Sequence, residues 1–208
     1  MGLSRSRTAM TEMILRMMVM PDLVAEATSE MRRALGDSLS SDWNVLAADL
    51  EWSCRGTATH VVDDLFSYAS QVLAQPVDSY LPIEAMVEDE ATPEDLLRSI
   101  AMCGELLRLA AASAPRDVRA WHPYGTSDPE GFAAMGVVEV LVHTHDIAGG
   151  LGVGWNPPAR LCAPVLLRLF PDAPQGDPSQ VLLWSTGRAA LGDRPRLASW
   201  RWDSSVRS

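Results

Sequence analysis

Apolar residues recur at intervals of three and four along four separate stretches of the chain, the spacing that lines one face of an α-helix. The first stretch runs from Pro21 to about Leu35. Leu23, Val24, Ala27, Met31, Ala34 and Leu35 form its stripe, Pro21 suits a first-turn position and Gly36 stops the run. The second runs from about Ser53 to Ala74, with Ala58, Val61, Val62, Leu65, Ala69 and Val72 on one side and Pro76 past its end. The third, Pro93 to Ala114, carries a clear start signal: Thr92 as N-cap, Pro93 next and Asp95 at the third helical position. The fourth spans about Pro129 to Gly149, follows Ser127 and Asp128, and closes at Gly149 and Gly150.

Between the second and third stretches, Gln75 to Ala91 holds prolines and the acidic run Glu88, Asp89, Glu90, and reads as a long surface connection. Beyond Trp155, Asn156, Pro157 and Pro158, the pattern predicts a short apolar helix over Ala159 to Phe170. A proline-rich turn follows, then a further helix over Ser179 to Leu191 and a short strand over Leu197 to Trp202. Four amphipathic helices with few alternating β-branched runs predict an all-α fold, an up-down four-helix bundle with a short C-terminal extension. The expected organisation is a loosely attached segment at 1–20, the bundle at 21–154 and an extension at 155–208. Trp184, Trp200 and Trp202 are expected to pack that extension on the bundle, with ligand stacking as the alternative.

Composition narrows the classes of function. At 208 residues, 47% hydrophobic and 21% charged, the chain has the make-up of one globular domain able to bury a core without disulfides. Its net charge of −10 repels a phosphate backbone, so no nucleic acid is expected as a partner. All 17 basic residues are Arg, a bias that follows GC-rich codons. The three cysteines, Cys54, Cys103 and Cys162, are far apart, form no CxxC and suit a reducing cytoplasm. Glu12 and Arg16 interrupt the N-terminal apolar run, which is too short to span a membrane, so neither secretion nor a membrane partner is expected. The methionines before Pro21 leave several alternatives for the start codon.

The chemistry concentrates in Val137-Val138-Glu139-Val140-Leu141-Val142-His143-Thr144-His145-Asp146. A helix this apolar on every side is normally buried, and an ionised carboxylate within it costs several kcal/mol unless paired or metal-bound. Glu139 and His143 sit one turn apart on one face, with Asp146 a further turn along, whereas His145 points elsewhere. Such an i, i+4 pair can supply two metal ligands. The same spacing also fits a plain buried Glu–His hydrogen bond or a polar stripe facing water. A third ligand would come from His60, His122 or a cysteine. His60 lies in the second helix, on a stripe with Asp64, Ser67 and Gln71 that as a bare pattern reads equally as a solvated face.

Trp52-Ser53-Cys54-Arg55, then Thr59-His60-Val61-Val62-Asp63-Asp64-Leu65, and Glu139 to Ala148 together resemble the metal-binding domain of mycothiol-dependent maleylpyruvate isomerases, in the DinB/YfiT-like superfamily. The resemblance spans about Pro21 to Gly150. It implies a DinB-like bundle holding a divalent metal, usually Zn2+, through His60, Glu139 and His143. Asp64 and Asp146 are candidates to orient a ligand imidazole through its free N–H, or plain helix-surface carboxylates. The resemblance also implies mycothiol as thiol cosubstrate, in line with the GC-rich codon bias of the actinobacteria that make it. Three protein ligands would leave zinc an open position, where a thiol is held as thiolate and can attack a small electrophile. On a cis-alkene diacid the outcome is isomerisation; on an epoxide or halide it is S-transfer.

The resemblance does not extend to the isomerase's C-terminal α/β domain, since about 50 residues follow Gly154. Arg188, Arg194, Arg196 and Arg201 are candidates for an anion-binding arginine in that shorter segment, or solvated charge. The expected function is therefore a metal-dependent, mycothiol-dependent S-transferase or isomerase, with a metal-dependent hydrolase or a non-catalytic metal-binding stress or binding protein as the alternatives. A homodimer is compatible with this class of bundle, although no exposed seam marks one. The glycines from Gly149 to Gly154 lack the preceding strand and following helix of a phosphate-binding loop, and read as a helix stop.

Overall fold

Caps and prolines set where the helices begin. In the computed structural model, which describes residues 20–206, the helices are α1 (Met20–Leu35), α2 (Cys54–Ala74), α3 (Pro93–Ser113), α4 (Pro129–Gly150), α5 (Ala159–Leu169) and α6 (Pro178–Ser185). A single 3-10 turn, Gly36–Ser38, follows α1. The Ser53 side chain accepts the Gly56 N–H at the start of α2, and Asp128 accepts the Gly131 N–H at the start of α4. Thr92 and Asp95 form a full capping box on α3. The expectation for residues 1–20 falls outside the described residues, except for Met20, which already begins α1.

The fold is an all-α bundle. Helix α1 packs against α3 and α4, and α2 packs against the same two, so that α1 and α2 stand across the bundle from each other. Helix α4 is covered by all three partners and by α5 as well. That position explains its sequence: from Pro129 to Ala148 all but Glu130 and His145 are buried. Gly136 lets the helices approach, because a Cβ there would lie 2.5 Å from Leu107 Cδ2 and 3.0 Å from Leu65 Cδ2. The core seams hold Leu23, Met31, Leu65, Ile100, Phe132, Met135 and Leu141 fully buried. Each large apolar side chain so buried contributes about 1.5–3 kcal/mol.

The connection from Gln75 to Ala91 is a loop pinned at two points by α2. Arg55 donates to the carbonyls of Glu88, Asp89 and Ala91, and Asp63 accepts the Ala85 N–H at 2.7 Å. Gln71, on the expected polar stripe of α2, is fully buried and donates to the Trp121 carbonyl at 2.7 Å.

The C-terminal segment packs on the bundle through α5 against α4 and α6 against α5. Two expectations fail here. The last helix ends at Ser185, short of Leu191, because Gly187 at φ +67° turns the chain away while the Thr186 hydroxyl donates to the Leu182 carbonyl. The strand expected over Leu197 to Trp202 is irregular chain, and no strand occurs among the described residues. The tail's backbone is satisfied by scattered partners: Asp203 N–H donates to the Leu169 carbonyl, and the Ser204 carbonyl accepts from Ser127 Oγ at 2.7 Å. No helix among the described residues is long and apolar enough to cross a membrane.

Candidate metal centre

Helical spacing delivers both halves of the site. On α4, Glu139, His143 and Asp146 follow one another at four and three residues, and on α2, His60, Asp64 and Tyr68 follow at four and four. The packing of α2 against α4 brings the two rows together. One ligand atom each from His60, Glu139 and His143 lies within 4.8 Å of the others. The His143 and Glu139 atoms are 3.1 Å apart, near the edge of about 3.4 Å expected for a tetrahedron of 2.0–2.2 Å metal bonds. The two imidazoles meet edge to face with centroids 5.2 Å apart.

Around these three donors stands a shell of partners. His143 Nδ1 lies 3.0 Å from Asp146 Oδ2, which fixes the ring so that Nε2 faces Glu139. Asp146 in turn receives Arg188 at both oxygens, 3.2 Å from Nε and 2.9 Å from Nη2. Arg188 Nη1 donates to the Thr186 carbonyl, and the guanidinium lies 5.5 Å from the Trp200 ring centroid. Asp64 Oδ2 is 3.0 Å from His60 Nε2. The buried Tyr68 hydroxyl donates to Glu139 Oε1 at 3.5 Å.

These contacts reshape the acidities. Burial pushes Asp64 up to about 6, helped by the negative charge of Glu139. Burial also works against the Glu139 carboxylate, but the hydrogen bond and charge of His143, with His60 and Arg188, hold it below its ordinary value. For His143 burial opposes the charged form, and the hydrogen bonds to Asp146 and Glu139 outweigh it, raising the imidazole to about 9. His60 is raised in the same way, Asp64 more than offsetting its burial.

The donor set fits a divalent cation on chemical grounds. Two imidazoles and a carboxylate are borderline ligands suited to zinc. An ion at their centre would also relieve a cluster that otherwise crowds Glu139, Asp64 and Asp146 into a helical core. His60 keeps a third of its side chain exposed, and the triad opens through it into a cavity of about 380 Å3. Leu50, Trp52, Val138, Val142 and Trp200 supply the walls. Trp52 stands edge-on to His60 with centroids 4.8 Å apart.

The remaining candidates are elsewhere. His122 belongs to an aromatic group with Tyr68, Tyr80, Tyr124, Phe132 and Trp202, and burial lowers it to about 4. His145 Nδ1 sits 3.3 Å from the Trp155 carbonyl, a packing position. All three cysteines are buried and free, outside the triad, with burial raising Cys54 and Cys103 to about 11 and Cys162 to about 12. Of the arginines considered, Arg188 alone reaches this cavity, and it arrives already paired. Sequence reasoning missed Tyr68, whose one signal was its spacing of eight from His60. It met Trp52 only within the resemblance, and Trp200 as a packing residue with ligand stacking as the alternative.

Neither the family models, the curated proteins nor the solved structures compared with this chain match it.

Proposed function

We propose that this protein is a divalent-metal-dependent enzyme that joins a small-molecule thiol to a small electrophile, as an S-transferase or isomerase, with zinc the preferred metal and mycothiol the expected thiol. The observation that supports it is the convergence of His60, Glu139 and His143 at the head of an open cavity. A structural zinc site is normally closed by four protein ligands, whereas three donors beside a cavity leave room for a reactant. A bound divalent cation supplies Lewis acidity and keeps a thiol in its thiolate form near neutral pH.

The chain's own residues do the holding and orienting. Asp146, anchored by Arg188, keeps the His143 Nδ1 proton on its own side and leaves Nε2 for the cation. Tyr68 holds the Glu139 carboxylate at Oε1, which leaves Oε2 beside His143 Nε2 for the cation. Asp64 steadies His60, the one donor at the cavity edge. Leu50, Val138 and Val142 give the cavity an apolar wall beside the donors, where electrostatic interactions are stronger than in open water.

Metal analysis of protein purified without chelator, followed by calorimetry with mycothiol, tests the reading. The expected result is about one bound divalent ion per chain and a thiol heat that disappears when the ion is stripped. Absence of bound metal, with none taken up on addition, would overturn it. Metal without thiol affinity would favour the metal-binding module or a metal-dependent hydrolase.

A further inference from the structure

The walls of the metal cavity carry information about its electrophile. Apart from the ligands, the wall is made of Leu50, Val138 and Val142 together with two indoles, Trp52 and Trp200. Each indole stands on a site residue: Trp52 edge-on to His60, Trp200 over the Arg188 guanidinium. Trp52 is half exposed, so its ring is available to a guest. Flat apolar ligands gain from such surfaces through burial and ring stacking.

The charge distribution is equally specific. Arg188 is the only arginine on the wall among the described residues, and Asp146 meets its charge through two hydrogen bonds. Arg196 is bound to Asp49 and to the Gly187 carbonyl, and Arg194 lies against Trp184. Arg201 lines a neighbouring cavity that shares Trp200 with this one and none of its other wall residues. With a divalent cation in place, its two charges and that of Arg188 cancel those of Asp64, Glu139 and Asp146. The remaining charge on the wall is Glu51, which is negative and exposed. With the thiolate on the cation's open position, a carboxylate-bearing guest would give up its hydration without an unpaired guanidinium or ammonium to receive it.

Resting on the thiol-transfer reading above, we infer that the electrophile of this site is an uncharged molecule with a flat apolar portion that lies against Trp52 and Trp200, and that dicarboxylates are selected against. The guest's flat part occupies the indole-lined mouth, and its reactive carbon faces the triad. Selection comes from the walls, so it operates on inert molecules of the same shape.

Calorimetric titration with dimethyl phthalate and with phthalate, an uncharged and a dianionic ring of one shape, tests this without any reaction. It is run on chelator-stripped protein, so that no cation is present to coordinate a carboxylate directly. The diester is expected to bind at least tenfold more tightly than the dianion, and Trp52→Ala to weaken the diester about tenfold. Trp200→Phe is expected to weaken it less. Phthalate binding as tightly as the diester would overturn the inference, and so would diester affinity unchanged in both variants. Neither titration contains thiol, so a failure to bind mycothiol removes the reaction proposed above and leaves this result standing on its own.

Discussion

Helix α4 and the C-terminal tail build one site by opposite means. Glu139, His143 and Asp146 are brought into line by the pitch of a single buried helix, and an error of one residue would aim them about 100° away. Arg188 and Trp200 come from irregular chain after α6, placed by a positive-φ glycine, a cation–π contact and scattered hydrogen bonds. The helix fixes the donors; the tail neutralises Asp146 and closes one wall. Direct metal affinity should therefore reside in the bundle, while the tail should tune that affinity and carry part of the guest selectivity.

The largest effect should come from the helix side. His143→Ala removes a donor but leaves the Asp146–Arg188 pair intact, so the fold should persist while metal affinity falls at least a hundredfold. Glu139→Gln keeps the shape and loses the charge, and should also lower occupancy. Metal content after gel filtration, with circular dichroism to confirm helicity, reads both. Occupancy unchanged in Glu139→Gln would remove Glu139 from the ligand set.

Next in size is the link between the two regions. Arg188→Ala leaves Asp146 buried without its guanidinium, a loss of about 3–5 kcal/mol by the usual cost of breaking a buried pair. Metal affinity should drop about 10–100-fold as His143 loses its firm orientation. Arg188→Lys keeps the charge but not the two-pronged contact, and should recover only part of both. If urea denaturation shows Arg188→Ala as stable as the parent, the tail is not holding Asp146 in the way described.

The site's proton adds a third test. A cation needs His143 neutral at Nε2, and that imidazole is raised to about 9, so metal binding must displace a proton at lower pH. Apparent affinity should rise about tenfold per pH unit from about 6.5 to about 9 and then level for this group. The metal-free protein should show the complementary trend. A group raised on folding gives its full stabilisation below its unfolded value near 6.5 and loses it as pH climbs through about 9, so Tm should fall over that window. In Asp146→Asn the hydrogen bond that raises His143 is weakened, and the affinity plateau should arrive at lower pH. Chelator competition across the range measures the first trend, and thermal melts with chelator measure the second.

The same contrast accounts for what could be read from sequence. The four bundle helices were legible to within a residue or two at each end, because each has a periodic face and a cap or proline boundary. Glu139, His143 and Asp146 were legible as a group because helix pitch is a rigid rule. His60 was ambiguous, since its stripe with Asp64 and Gln71 looks solvated until α4 and the loop over 75–91 are seen to cover it. Tyr68 was passed over because it lies among the apolar positions of α2, with its spacing of eight from His60 as the one hint. The tail was least legible: a strand was expected at Leu197 to Trp202 from local composition, yet the described residues hold no neighbouring strand to pair with it. Arg188 could be named as one of four arginines, but nothing in its spacing distinguished it from Arg194, Arg196 or Arg201.

The smallest expected effect isolates the turn that delivers Arg188. Gly187 adopts φ +67°, and a Cβ there would lie 2.9 Å from Trp200 Cδ1 and 3.0 Å from the Leu197 carbonyl oxygen. Gly187→Ala therefore combines left-handed backbone strain with a push on the ring over the guanidinium, costing about 1–3 kcal/mol. Since Asp146 still attracts Arg188, metal affinity should change by only a few fold, whereas the diester affinity set by the Trp200 wall should fall more. Denaturation, chelator competition and calorimetry on this one variant separate the two roles of the tail. Equal losses of metal and diester affinity would mean that the wall and the Arg188–Asp146 anchor move as a single unit.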